Sequence, residues 1–352
     1  MIDHAQLIKG EGTLPGLLRE RAREQGQQVA LREKVRGVWQ ATTWAGYNDR
    51  ARRTALGFMK LGLVRGDRIV IASEDVPEWF YADLGAQMIG VHVVGIYPTN
   101  PWPELQYIAR HCKAKIAITG DQEQTDKVLD ALKQGDGLPA LDRIFCVDMK
   151  GLRRYEPGVP GSFADLMALG ESLLAEDPDA ERRLDASIDS LLPDDVNILV
   201  YTSGTTGPPK GAMLTHRNFL YGACAYATAR GMLGKRFESV AYLPLCHVAE
   251  RSYSTVLHLL TGGTVNFAES IDTVATNIRE IAPTFFLGVP RIWEKLQQGF
   301  EFRMKDSGRF QRWLYARGLV RGRALSDRRT EAHRAGRVIS LADRAEFFAW
   351  YW

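Results

Sequence analysis

Continuous apolar runs and amphipathic stretches alternate along most of the chain. Residues 67–72 predict a strand entered from the turn at Gly66, residues 77–89 have helical spacing, and residues 91–95 form a short β-branched run. Residues 101–111 predict a helix, 115–119 a strand, 125–133 a helix and 143–147 a strand. Strands that are apolar on both faces, separated by amphipathic helices, imply a buried parallel sheet. The alternation resumes at Val196. Residues 197–203 and 212–215 read as strands, 216–232 as a helix, 239–245 as a strand and 248–260 as a helix. Residues 264–268 then read as a strand, 272–281 as a helix and 284–287 as a last strand. The expected fold class is α/β, with two mostly parallel sheets flanked by helices. One sheet is expected mostly from residues 60–150 and the other mostly from 196–290.

Between these blocks, residues 151–195 are rich in Pro, Gly and acid, with Asp177, Asp179, Glu181, Asp185, Asp189, Asp194 and Asp195 close together. They read as a solvated excursion between two sheets, with a functional acidic site as the alternative. The organisation expected is therefore a first α/β subdomain over 1–150, this excursion over 151–195, a second α/β subdomain over 196–300, and a basic helical segment over 301–352.

Composition narrows the class. Of 352 residues, 45% are hydrophobic and 25% charged, which excludes a disordered or fibrous chain and suits about two domains. Lys and Arg number 45 against 42 Asp and Glu, too balanced for a dedicated nucleic-acid binder, so no nucleic acid is expected as a partner. The balance is uneven along the chain. Residues 301–352 hold twelve basic and six acidic residues, leaving thirty-three against thirty-six in 1–300. Cys112, Cys146, Cys224 and Cys246 have no metal-ligand or redox spacing, and the seven histidines include no HExxH pair. A reducing cytoplasm fits them best. The start, Met1-Ile-Asp-His, lacks the pattern of a signal peptide. The longest nearly apolar stretch, residues 88–97, is about half of the ~20 residues that span a bilayer. A soluble, cytoplasmic protein is expected, with peripheral association at the inner face of a membrane as the alternative.

The chemistry concentrates in Tyr201-Thr-Ser-Gly-Thr-Thr-Gly-Pro-Pro-Lys-Gly211. Gly204 and Gly207 let the backbone approach a ligand and turn successive N–H groups toward an anion. Thr202, Ser203, Thr205 and Thr206 add hydroxyl donors, and Lys210 adds a mobile positive charge. That combination suits a polyphosphate. It is not a Walker A loop: counted from Gly204, Pro209 and Gly211 stand where Gly and Ser or Thr are required. The paired prolines, followed by the strand-like Ala212-Met-Leu-Thr215, predict a strand–loop–strand unit, whereas a Walker loop opens a helix. A flexible Gly/Ser/Thr linker would explain the composition but not a lone Lys between two strands.

This segment resembles the phosphate-binding motif of the AMP-forming acyl-CoA synthetases, members of the adenylate-forming superfamily. Gly211-Ala-Met-Leu-Thr-His-Arg-Asn218 and Leu243-Pro-Leu-Cys-His-Val-Ala-Glu-Arg251 resemble the same family. Gly288-Val-Pro-Arg-Ile-Trp-Glu-Lys295, Gly66-Asp-Arg and Ile96-Tyr-Pro-Thr99 are most similar to its long-chain fatty-acid–CoA ligase branch. The resemblance implies two half-reactions, in which a carboxylate attacks the α-phosphate of ATP to give acyl-AMP and pyrophosphate, and CoA then takes the acyl group. It implies ATP, Mg²⁺ and CoA as co-substrates and escort, and a fatty acid as partner. Thr202 to Thr206, Gly207 and Lys210 would hold the β- and γ-phosphates. His247 would orient the carboxylate, with a structural histidine as the alternative. Val289 and Arg291 match positions near the acyl tunnel, though a helix-start role for Arg291 is equally open. Glu250 and Arg251 read as an ion pair at a helix start, and His216 and Asn218 as the opening of a helix. The small residues Gly222, Ala223, Ala225, Ala227 and Ala229 suit close packing and an acyl channel equally.

The family's later segments do not occur in these 352 residues: the Gly-Tyr-Gly-x-Thr-Glu-like adenine segment, the Thr-Gly-Asp ribose segment, and a lid with an Arg hinge and a catalytic Lys. Glu346-Phe-Phe-Ala-Trp-Tyr-Trp352 puts five aromatics at the end and reads as a helix cut in mid-course, with a membrane-dipping anchor as the alternative. Adenylation of another acid, transfer to a carrier-protein thiol, and a non-catalytic nucleotide- or acyl-binding remnant are the competing functions.

Overall fold

The hydrophobic pattern predicts no strand before residue 67, yet helix Leu14–Gln25 is followed by a hairpin: β1 (Val29–Val35) and β2 (Val38–Thr43), antiparallel, with Val35 opposite Val38. Arg36 and Gly37 close it with positive φ of 49° and 81°, the conformation that matches the twist of a tight two-residue hairpin. The computed structural model describes residue 7, residues 9–202 and residues 207–351, the side chains through residue 346.

The next strands follow the prediction. β3 (Arg68–Ala72), β4 (His92–Ile96), β5 (Ile116–Thr119) and β6 (Arg143–Cys146) are parallel neighbours, and β7 (Gly161–Ser162) adds a short edge. The helices between them have the expected places at Pro77–Met88, Trp102–His111 and Gln122–Lys133. Pro77–Met88 is apolar nearly all round and is buried along almost its whole length.

β8 (Val196–Thr202), β9 (Lys210–Thr215), β10 (Glu238–Ala241) and β11 (Thr264–Phe267) form as strands, but not as one sheet. The larger sheet runs β7-β6-β5-β3-β4-β8-β9, and the smaller β10-β11-β1-β2. This corrects the expected partition into 60–150 and 196–290. β4 has buried Val93, Val94 and Ile96, so its open side needs a neighbour, which β8 supplies in parallel. β11 in turn takes β1 as its parallel partner, Leu31 opposite Val265. Residues 284–287 do not form a strand; Phe285 N–H donates to the Glu238 carbonyl at 3.1 Å, beside β10.

The acidic excursion is not a solvated loop. Helices Phe163–Glu176 and Ala180–Asp189 bury Phe163, Leu166, Ala180, Leu184 and Ile188. A Cβ at Gly170 would meet the Arg53 carbonyl oxygen at 2.1 Å, and one at Gly57 the Leu166 carbonyl oxygen at 2.2 Å, so helix Phe163–Glu176 crosses helix Trp44–Lys60 backbone to backbone. The acids of helix Ala180–Asp189 pair with arginines of two earlier helices, Trp44–Lys60 and Leu14–Gln25: Arg52 with Asp185 at 2.6 Å and Glu181 at 3.1 Å, and Arg19 with Asp189 at 2.5 Å.

After β10 the chain forms a helix over Val248–Glu250, a π turn over Arg251–Leu257 and a last turn over His258–Thr261, ended by Gly262 at φ +66°. By its contacts the chain divides into Met1–Phe286 and Leu287–Trp352. The second part is helical: Pro290–Lys305, Arg309–Arg334 and Leu341–Tyr351, the last two joined by Arg328 to Asp343 at 2.8 Å. Phe310, Trp313 and Val320 are exposed there. The aromatic side chains from residue 347 onward lie outside the described residues. No helix among the described residues is long and apolar enough to cross a membrane.

Candidate active site at the carboxyl edge of the larger sheet

Thr202 ends β8 and Lys210 begins β9, and the two are paired across the antiparallel ladder. The segment is thus a strand–loop–strand unit, as its prolines predict. Ser203, Gly204, Thr205 and Thr206 lie outside the described residues. Gly207, at φ +97°, has open space where a Cβ would stand, and Lys210 and Thr202 are exposed. The base of the loop is anchored from the neighbouring helix. Tyr107 donates from its hydroxyl to the Pro209 carbonyl at 3.0 Å, and the Tyr201 hydroxyl meets His111 Nδ1 at 2.7 Å. Burial pushes the Tyr201 hydroxyl well above its usual pKa, so it stays a neutral hydrogen-bonding group. β8 runs parallel to β4 and β3, so the loop leaves the carboxyl edge of the sheet, where open α/β folds place ligands.

His247 reaches the same edge from the other sheet. Asp75, just past β3, accepts a hydrogen bond from Leu245 N–H at 3.1 Å. At Gly95 on β4, a Cβ would meet Cys246 Cα at 2.6 Å, so β4 and the residue before His247 pack with no side chain between them. His247 caps the helix that follows, its Nδ1 accepting from Ala249 N–H at 3.0 Å. That bond requires Nδ1 to be unprotonated, which leaves Nε2 of this exposed ring to face outward.

The next two residues correct the expectation of a local ion pair. Arg251 is fully buried and forks onto Asp83, 168 residues away, with Nε to Oδ2 at 3.1 Å and Nη2 to Oδ1. Its guanidinium also stacks 4.5 Å from the Trp79 ring centre. Glu250 turns the other way, accepting from the Ser254 hydroxyl and Tyr242 N–H. Burial pushes its carboxyl up to about 8, and burial with the nearby Glu250 charge also holds Asp75 well above the usual carboxylate range. Beside Asp75 opens a cavity of about 370 Å³ lined by Glu33, Lys34, Glu74, Asp75 and Glu269. Val76, Pro77, Tyr242, Phe267 and Ile271 complete a lining that is part acidic and part apolar.

Other predicted residues divide. Thr215 and Asn218 form the capping box of helix His216–Ala229, as expected, and His216 is buried. The small residues of that helix split, with Ala223 and Ala227 buried but Gly222, Ala225 and Ala229 exposed. Val289 and Arg291 open helix Pro290–Lys305, Arg291 exposed at its first turn. Sequence reasoning missed Asp75, Asp83, Gln87 and Asn197. The last three are buried polar residues, and Asp83 and Gln87 are spaced i, i+4 in an otherwise apolar helix, which is the signal that would have found them. The four cysteines are unpaired and buried. Among the described residues no group of three or more His, Cys, Asp or Glu could hold a metal ion.

Open α/β folds place nucleotides at the carboxyl edge of a parallel sheet, which is where Thr202 and Lys210 bracket this Gly- and hydroxyl-rich segment. The chain belongs to the AMP-binding enzyme family, whose model matches residues 18–337. It is similar to long-chain-fatty-acid–CoA ligase ACSBG2 of Xenopus laevis, 36% identical over 292 residues, which cover 81% of this chain and 38% of that protein. Human long-chain-fatty-acid–CoA ligase ACSBG1 is 34% identical over 293 residues, 82% of this chain and 39% of that one. The inhibitor-bound N-terminal domain of FACL13 from Mycobacterium tuberculosis shares the fold, with a TM-score of 0.63 at 22% identity, over 82% of this chain and 65% of that one. The resemblance read from the loop is borne out. The chain spans about two-fifths of the length of the curated relatives it matches.

Proposed function

We propose that this chain carries the acid- and triphosphate-binding part of an ATP-dependent ligase that activates a long-chain fatty acid. The carboxylate oxygen attacks the α-phosphorus, the bond to pyrophosphate breaks, and acyl-AMP forms. The CoA thiol then attacks the acyl carbonyl, losing its proton to solvent, and AMP leaves. The observation that carries this reading is the juxtaposition at one sheet edge: the loop spans paired Thr202 and Lys210, and Asp75 ties the segment bearing His247 to the exit of β3. The names of the relatives supply the substrate class.

Thr202, Ser203, Gly204, Thr205, Thr206, Gly207 and Lys210 hold the β- and γ-phosphates and stabilise the departing pyrophosphate. His247 uses its outward Nε2–H to orient the fatty-acid carboxylate. Val289 and Arg291 belong to the acyl side. Mg²⁺ enters with ATP. The location is the cytoplasm; peripheral contact with the inner face of a membrane is the alternative. The 352 residues alone do not form acyl-CoA; a chain that also carries the adenine, ribose and lid segments does. The test is calorimetry of the chain with ATP, AMP and pyrophosphate, then pyrophosphate exchange by the extended chain across acids. Binding of ATP and pyrophosphate, with exchange supported by palmitate, is expected. Exchange with aryl acids only would move the substrate class, and no ATP binding would overturn the loop's role.

A further inference from the structure

A line of buried polar side chains crosses the core between the two halves of this site. His216 Nδ1 accepts from Leu14 N–H and from Asn197 Nδ2, both at 3.3 Å. Asn197 Nδ2 also donates to Gln87 Oε1 at 3.2 Å. Gln87 Nε2 donates to Asp83 Oδ1 at 2.6 Å, and Asp83 takes both arms of the Arg251 fork. All five residues are buried. Every link is an N–H donor facing an acceptor: Asn197 donates both ways, to His216 and to Gln87, and Asp83 accepts from both sides, from Gln87 and from Arg251. A proton on His216 Nδ1 would set three donors against one another, and burial holds that imidazole down to about 4.

Two members of this line, Asn197 and the terminal Arg251, sit at backbone irregularities. Asn197 lies where the β8–β9 register shifts, between Val196 and Ile198, and β8 pairs with β4 at only Val93–Ile198 and Val94–Leu199. Arg251 is the first residue of the π turn, and its N–H donates to the His247 carbonyl at 3.1 Å. Bulges and π turns are local departures that something must hold in place, and they recur beside functional sites. A buried polar line of this length gains little stability over apolar residues of the same volume; what it adds is a unique register.

We propose that His216, Asn197, Gln87, Asp83 and Arg251 are positioning residues that lock the strand ending at Thr202 to the helix capped by His247. None of them touches substrate. That the two locked elements serve one substrate rests on the function proposed above; the mechanical link does not.

Gln87→Met tests the link at its centre, since it keeps the volume, touches neither end and removes both hydrogen bonds. In the 352-residue chain, amide hydrogen exchange should rise about tenfold or more in residues 211–215 and in residues 249–257 together. Helix Gln122–Lys133 should stay unchanged, and the His247 imidazole resonance should move. Gln87→Glu is the rescue. Beside Asp83 its carboxyl stays protonated, so it accepts from Asn197 and donates to Asp83, and protection should return. Unchanged exchange at either end in Gln87→Met, or no recovery in Gln87→Glu, overturns the proposal. Should Gln87→Met not fold, Arg251→Lys keeps the charge but gives up the fork; it should loosen residues 211–215, and protection retained there overturns the link. Calorimetry with ATP on the same proteins reads the function separately. An unmutated chain that binds no ATP would sink the ligase reading and leave the exchange result to decide the link.

Discussion

Each sheet carries one edge hairpin, and the two are built alike up to the turn. β1 and β8 both have a parallel neighbour on one side, β11 and β4, and an antiparallel edge strand on the other, β2 and β9. Each is tied at its base by a buried histidine: His258 donates from Nε2 to the Ala30 carbonyl at 3.1 Å, and His216 accepts from Asn197. They part at the tip. Arg36 and Gly37 suffice to close the first, with Val35 opposite Val38, whereas residues 203–209 separate the paired Thr202 and Lys210. Reversing the chain therefore does not account for the longer connection. The connection is five residues longer than the two-residue turn at Arg36 and Gly37, and it carries three hydroxyls and two glycines.

The largest break of this comparison is to make the tips equal. Replacing residues 203–209 by Arg-Gly should leave the protein folded, with a stability change within about 1 kcal/mol, and should abolish ATP binding in calorimetry. A shortened protein that still binds ATP would show that the loop is a connector. Next in size, Lys210→Ala, and separately Thr205→Ala with Thr206→Ala, should each cost about 1.5–3 kcal/mol of ATP affinity and far less of AMP affinity. Equal losses for the two nucleotides would mean that the loop does not grip the β- and γ-phosphates.

Acid probes what the hairpins share. Burial holds His216 down to about 4 and His258 down to about 3, below the ~6.5 of the unfolded chain. The unfolded chain thus takes up these protons first. The stability each neutral imidazole contributes is complete above pH ~6.5 and falls by about 1.4 kcal/mol per pH unit until the folded pKa is reached. Imidazole NMR should show both rings neutral in the folded protein at pH 5. A ring titrating near 6.5 would remove that hairpin's tie. The smallest effect sharpens the difference: Gly37→Ala, at φ +81°, should cost about 1 kcal/mol in urea denaturation and leave ATP binding unchanged.

What the sequence made legible follows from where the physics is local. β3, β4, β5 and β6 are short apolar runs buried on both faces, and their identity shows in any window. β1 and β2 are only partly buried, so their alternation is faint, and nothing local told that β1 would pair with residues 264–267. Residues 284–287 carry the apolar look of a strand through Phe285 and Phe286, which instead pack on Tyr226 and Tyr242. The family was legible from the loop because its motif is written in consecutive residues. Arg251 was misread because its neighbour in sequence, Glu250, is an acid, while its partner in space is Asp83. The Asn197–Gln87 bond joins residues 110 positions apart, a distance over which one sequence carries no pattern.

The pairing of β1 with β11 also sets a timetable. Leu31 leaves the ribosome long before its parallel partner Val265 exists. At the ~5–20 residues per second of translation, the first hairpin waits on the order of 10–50 s for that neighbour. During that interval the larger sheet can already assemble β3, β4, β5 and β6, whose partners follow closely in the chain. The inner side of β1, with Ala30 and Leu31 destined for full burial, stays uncovered until then. The N-terminal hairpin is thus among the first pieces made and the last sheet completed, and the newborn chain is most exposed to chaperones, proteases and self-association in that window.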